Sequence, residues 1–370
     1  MSPPSRAVRD ACAAMLDEYA RRGAAAWPRQ LESRERLRAR LARMLGASPP
    51  ELGLVPGTGH AITMVATAIR WRPKERLILL RGEFPANVTP WLRVAERFEL
   101  EPVFLDADAF APGGDGLASL GRELARGARL LAVSAVQFQT GLRMPLEAIA
   151  ALCRAAGTQV FVDAIQALGC TPLDVRALGI DDLAAGGHKW LMGIEGTACL
   201  WIRDERLAEL DPLVASWLSH EDGLGFLFEG AGRLRYDRPL RRRADVFEIG
   251  VTNALGFAAL DASTALLESI GIAAIERHVA AILDALEPGF VARGFVSARR
   301  PEPAARSGIL ALTPPTHVGL GELARALGER GIAVATPDGH LRLSPHWPND
   351  LSQVPQVFAA LDDALRSLNA

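Results

Sequence analysis

The chain has 370 residues, 49% of them apolar and 23% charged, with a formal net charge of −2 and an isoelectric point near 6.4. That balance argues against an electrostatic partnership with nucleic acid or a membrane surface, and no apolar run approaches the ~18 residues of a membrane span. The length exceeds one simple core, so two domains are expected, and Cys12, Cys153, Cys170 and Cys199 lack metal-type spacing, which predicts no metal site and reduced thiols in a cytoplasmic setting.

Residues 4–46 carry Ala, Leu and Met at helical spacing, broken by Pro28 into helices near 4–22 and 29–46. Leu52–Val55 reads as a short strand running into Pro56-Gly57-Thr58-Gly59-His60, and an apolar helix, Ala61–Ile69, follows. Strands are then expected over Arg76–Leu80, Pro102–Leu105, Leu130–Ser134, Gln159–Asp163, Asp182–Ala185 and Ala198–Ile202. Helices Ala86–Phe98, Leu117–Arg126 and Leu146–Ala156 fall between them. Near-continuous apolar strands alternating with helices predict an α/β fold with a mostly parallel sheet covered on both faces. Residues 205–246 are irregular and end in a basic run, Arg238–Arg243, read as a solvated or interface segment. A long helix starts near Asn253 and continues to about Ile270. Beyond it come helices Ala273–Leu286, Leu320–Arg330 and Gln353–Leu368, with strands Ile309–Thr313, Ile332–Ala335 and Leu341–Leu343. The boundary is placed at 257, giving a large domain over 1–257 and a small α+β domain over 258–370.

Gly57-Thr58-Gly59 lies between a strand and a helix, where backbone N–H groups and the helix dipole make an anion site and Thr58 adds a hydroxyl. It matches neither GxGxxG nor GxxxxGK. Asp163 ends an apolar strand, and in open α/β sheets ligands gather beyond the carboxyl ends of the strands. Of 41 lysines and arginines only Lys74 and Lys189 are lysine, and Lys189 is flanked by His188 and Trp190. Arginine cannot act as an amine nucleophile, so this lysine stands out. It follows Asp163 by 26 residues, about one helix plus one strand, so both can point into one crevice. An acid for a cationic ring nitrogen, an amine in a dry pocket and a phosphate turn together describe a site for pyridoxal 5′-phosphate.

These residues resemble the class V aminotransferase family of fold type I pyridoxal-phosphate enzymes, which includes cysteine desulfurases, selenocysteine lyases and isopenicillin-N-epimerase-like proteins. The most specific match is Val162-Asp163-Ala164-Ile165-Gln166 together with Gly187-His188-Lys189. The resemblance implies an aspartate aminotransferase-like large domain and makes Lys189, Asp163 and His188 the catalytic set. Lys189 would form the internal aldimine, Asp163 would bind the pyridine nitrogen, Gln166 the phenolic oxygen, and His188 would lie against the phosphate or the lysine. Thr58 and Gly59 would hold phosphate and Phe84 would stack on the ring. Gly250, Val251 and Thr252 would reach the neighbouring subunit's phosphate in a homodimer with shared sites. Arg342 would bind the carboxylate of an amino acid substrate. Chemistry at the α-carbon of an amino acid or amine follows, with transamination ahead of C–S or β-lysis and epimerisation.

The chain also departs from the family pattern. Gly186 stands where relatives often have serine, Gly59 replaces a second threonine, and Gly250-Val251 replaces Gly-Thr. Backbone amides and arginines such as Arg241, Arg242 and Arg243 are expected to make up the phosphate contacts. The opening Met1-Ser2-Pro3-Pro4 lacks the family's Leu-Asn-x-Ala-Gly segment, which implies a truncated start or a more open pocket. The loop Gly331–His340 has no cysteine, which disfavours cysteine desulfurase activity. His340 and His346, which flank Arg342, are read as surface histidines. The alternative from another class is a non-catalytic phosphate- or nucleotide-binding α/β protein.

Overall fold

The computed structural model describes residues 3–250 and 253–368. Strands β1 (Leu52–Val55), β2 (Arg76–Arg81), β3 (Glu101–Asp106), β4 (Leu130–Ser134), β5 (Gln159–Asp163), β6 (Asp182–Gly186) and β7 (Ala198–Ile202) form one sheet, ordered β1-β7-β6-β5-β4-β2-β3. From β3 to β6 all neighbours are parallel. No crossover helix joins β6 to β7, so that pair is antiparallel, and β1 closes the edge antiparallel to β7.

Strands β4 to β7 are buried along their whole length, which is why they read as unbroken apolar runs. One face of the sheet is covered by helices Thr58–Ala68 and Thr89–Phe98, where Trp91 meets Phe161 edge-on at 5.3 Å. The other face is covered by helices Gly116–Leu124, Leu146–Ala155 and the Leu37, Leu41 and Leu45 stripe of helix Trp27–Leu45. β3 lies on one side of β2 and β4 on the other, so the chain reverses its direction of travel between β2 and β4. Ligands of such sheets bind beyond the carboxyl ends at that point.

Helix Ala254–Ile270 packs on helices Arg6–Arg22 and Trp27–Leu45 and runs through residue 257. At Gly271 the chain bends by 79° into helix Ile272–Val291. No single helix among the described residues is long and apolar enough to cross a membrane. A second sheet, ordered β10-β9-β8, comprises β8 (Val296–Ser297), β9 (Leu310–Thr313) and β10 (Leu341–Leu343). The strand expected over Ile332–Ala335 is absent. Only Ala335 bridges to Arg342.

One buried ion cluster ties the large sheet to the N-terminal helices. Glu248 accepts from Arg38 Nη1 (2.6 Å), from Arg34 Nη2 and from the Leu54 N–H (2.8 Å). Burial pushes this carboxyl's pKa up, but the Arg38 and Arg34 guanidiniums outweigh it and hold the group below its ordinary value.

Candidate active site

The carboxyl ends of β2, β4, β5 and β6 present the site. Asp163 is the last residue of β5, is 2% exposed, and its Oδ1 accepts from the Ile165 N–H at 3.0 Å. Burial pushes its pKa up to about 7, with the neighbouring Glu83 adding to the rise and Lys189 opposing it. Lys189 lies in the turn after β6, and burial draws its amine below the ordinary lysine value, with Arg342 adding to the fall against the pull of Asp163. Its Nζ stands 5.6 Å from the centre of the Phe84 ring. His188 is also drawn down, by burial and then by the Lys189 charge. The fold therefore brings the acid, the scarce lysine and the aromatic ring into one crevice.

Trp190 fixes the turn that carries the lysine. Its Nε1 donates to Gln166 Oε1 at 3.3 Å, and its carbonyl accepts from His346 Nε2 at 2.9 Å. The two rings lie 5.1 Å apart. Gly169, at φ 104, leaves room for this turn: a Cβ there would stand 2.3 Å from the Trp190 carbonyl oxygen. His346 is thus not a surface histidine. It is 3% exposed, its Nδ1 accepts from the Trp347 N–H at 2.7 Å, and burial pushes its pKa down to about 4. The Trp190 carbonyl, 156 residues away in sequence, pulls the other way by accepting its hydrogen bond.

The phosphate end is formed by the turn after β1. Thr58 opens helix Thr58–Ala68, is 6% exposed, and its hydroxyl has no hydrogen-bond partner. Gly186 lies against it. A Cβ on Gly186 would stand 3.1 Å from Thr58 Oγ1, 3.0 Å from His188 Cε1 and 2.9 Å from Ile165 Cδ1. The missing side chain leaves a cradle between Thr58 and His188. Gly59 faces open space, with Ala86 Cβ at 4.0 Å from its ideal Cβ position. An unsatisfied buried hydroxyl at a helix N-terminus, beside a cavity that glycine keeps open, fits a phosphate.

Arg342, on β10, donates from Nη1 to the Phe138 carbonyl and leaves its Nε without a partner. Phe138 packs edge-on against Phe84 at 5.2 Å, so the arginine, both aromatic rings and Lys189 form one contiguous wall. Gln139 Nε2 reaches across to Asp338 Oδ2 at 3.1 Å. Gly250 is half-buried close to Trp217, whereas Val251 and Thr252 lie outside the described residues. Arg241 and Arg243 are engaged by Asp245 Oδ2, at 2.9 and 3.1 Å, so within this chain they are not free phosphate donors. Cys153, Cys170 and Cys199 are buried and Cys12 lies on the first helix, so among the described residues none supplies a thiol to the 331–340 loop.

Glu83 escaped the sequence reading although it adjoins Phe84. It is 8% exposed, accepts from the Ser134 N–H (2.7 Å), the Ser134 hydroxyl and Gln137 Nε2 (3.1 Å), and makes no salt bridge among the described residues. The only clue in the sequence was an acid set between Gly82 and an aromatic residue.

Comparison with known proteins gives the family. The family model described as Aminotransferase class-V matches residues 9–347. An uncharacterized aminotransferase of Bacillus subtilis is 28% identical over 351 residues, covering 94% of this chain and 86% of the relative. A probable cysteine desulfurase of Pseudomonas aeruginosa is 30% identical over 350 residues, covering 90% and 83%. Isopenicillin N epimerase of Streptomyces clavuligerus is 28% identical over 338 residues, covering 88% and 83%. Among solved structures, a cystine C–S lyase in complex with its reaction product, cysteine persulfide, superposes with a TM-score of 0.88 at 23% identity, over 97% of this chain and 94% of that one. That likeness is one of fold. With the family model matching nearly end to end and the acid, lysine and phosphate turn converging on one crevice, the chain belongs to the aminotransferase class-V family.

Proposed function

We propose that the chain is a transaminase acting at the α-carbon of an amino acid or amine. It is a pyridoxal-phosphate-dependent enzyme of the class V family. The observation that carries the reading is Lys189, a half-buried amine held below its ordinary pKa beside the buried Asp163 and over the Phe84 ring. Bound there, pyridoxal phosphate supplies the electron sink for charge developing at the α-carbon. Lys189 carries the cofactor through its amine and moves the α-proton. Asp163 faces the ring nitrogen and holds positive charge on it. Gln166 orients the phenolic oxygen, Phe84 covers the ring, and Thr58, Gly59 and His188 hold the phosphate. The Nε side of the Arg342 fork, left free by the Phe138 contact, binds the substrate carboxylate.

Transamination is favoured because it needs only the proton transfer that Lys189 performs and no thiol at the 331–340 loop. Lysis or epimerisation calls for a second acid–base group. His340, half-buried with an unpartnered Nδ1, is the candidate for that role. We further propose a homodimer in which Gly250, Val251 and Thr252 reach the partner's phosphate.

A spectrum of the purified protein tests the cofactor role of Lys189. Absorbance near ~420 nm that disappears on borohydride reduction, with the label on Lys189, supports it; a protein that stays colourless with added cofactor rejects it. A panel of amino acids with a keto-acid acceptor then separates the reactions. Aminated acceptor means transamination, whereas pyruvate and ammonia without acceptor means lysis. Arg342→Ala is expected to raise KM about 100-fold, the weight of a charge-assisted bidentate pair, with the absorbance band retained. An unchanged KM would remove the carboxylate role.

A further inference from the structure

Two buried carboxylates, Glu83 and Asp163, sit at the point where the sheet reverses its order. Glu83 follows β2 directly after Gly82, which is held at φ 84, and Phe84 is the next residue. Ser134, at the end of β4, gives both its N–H and its hydroxyl to Glu83. In the β4–β5 ladder Ser134 is the register partner of Asp163. The strand pairing therefore sets the two carboxylates on adjacent elements facing one crevice, and the Glu83 charge raises the proton affinity of Asp163.

Neither acid forms a salt bridge among the described residues. The groups held by Glu83 are neutral: the Ser134 N–H and hydroxyl and Gln137 Nε2. Asp163 has the Ile165 N–H. The charged or titratable groups facing the pair are Lys189 and His188 from the turn after β6 and Arg342 from β10. Of these Lys189 opposes the rise at Asp163, and Arg342, which donates to the Phe138 carbonyl, acts on Lys189. The two acids are therefore matched in number by Lys189 and Arg342, yet no cation is within salt-bridge distance of either acid among the described residues.

We propose that Glu83 is a positioning residue for the cofactor ring: it ties the Phe84 turn to the end of β4 and, as a second carboxylate beside Asp163, makes the crevice select a ring that carries positive charge. Asp163 contacts the ring nitrogen, and Glu83 acts through it. The two acids repel, and a cationic nitrogen relieves that repulsion, so part of the cofactor's affinity depends on its charge rather than its shape. A residue that served only to hold the Phe84 turn would act on shape alone.

The inference rests on the pyridoxal-phosphate reading, and the test separates the two. The probes are pyridoxal phosphate and its 1-deaza analogue, which has the same shape but cannot carry charge at the ring position. Dissociation constants for both come from equilibrium dialysis, independent of turnover. If wild type binds neither, the cofactor reading fails. Wild type is expected to prefer pyridoxal phosphate, and Glu83→Gln is expected to shrink that preference about ten-fold, the equivalent of about one pKa unit. Glu83→Asp keeps the charge and is expected to keep the preference while weakening both ligands. Equal loss of both ligands in Glu83→Gln, with the ratio unchanged, overturns the proposal. Should that variant fail to fold, Gln137→Lys leaves Glu83 in place and sets a cation against it. A preference that survives Gln137→Lys also overturns the proposal.

Discussion

Two of the regions in which this protein buries acids treat them in opposite ways. Glu248 is held by Arg34, Arg38 and the Leu54 N–H, and its proton affinity is lowered. Asp163 and Glu83 have neutral donors, and their proton affinities are raised. A buried charge neutralised within the chain serves the fold. A buried charge left without its counter-ion is stable only because nearby elements fix it in place, and it waits for a cation from outside. The lone lysine at the second region does not remove the contrast, because burial draws its amine toward the neutral form.

The comparison can be broken at several points, and the largest expected effect is at Lys189. Lys189→Ala is expected to abolish borohydride-trappable cofactor and to lower turnover by on the order of 1,000-fold or more, with the thermal midpoint hardly moved. Retained turnover would show that the second region is not the reacting site. Arg38→Ala addresses the first region. Removing one partner strands Glu248 in the interior and should cost about 3–5 kcal/mol in chemical denaturation. A loss below ~1 kcal/mol would mean that the two regions do not differ as their pairing suggests.

Asp163→Asn comes next, with turnover reduced roughly 100-fold and cofactor still attached. Its stability signature depends on pH. The folded pKa, about 7, exceeds the ordinary 3.8, so the protonated carboxyl is the form that folding favours. Its contribution is complete below the ordinary value and is lost as pH rises through about 7. Melting temperatures of cofactor-free wild type should therefore fall across that window, and the asparagine variant should fall less. Identical slopes would contradict the burial argument. Gly186→Ser has the smallest effect. The added side chain, crowded by Ile165, His188 and Thr58, fills the cradle and should weaken cofactor binding by about three- to ten-fold, and dialysis would show it.

Much of the frame was legible residue by residue. Gln159–Asp163 and Ala198–Ile202 announce themselves because strands buried on both faces leave no polar position in their middle. Lys189 was visible because a chain rich in arginine has almost no lysine. Phe84 and Arg342 were found through the family resemblance, and the fold places both on the wall beside Lys189. Glu83 and His346 were not found. An isolated acid or histidine in a sequence is most often solvated, and nothing adjacent to either says otherwise.

The sequence by itself determined the elements, their alternation and the family, since these depend on local apolar pattern and on short motifs. Tertiary structure alone decided which polar groups lose water. Glu83 is buried because β2, β4 and the Ser134–Gln137 turn converge on it, and His346 because Trp190 arrives from 156 residues away. Desolvation depends on every element that packs around a group, and it sets the charge each group carries. The raised proton affinity of the crevice's two acids is therefore a property of the folded chain, not of any stretch of it.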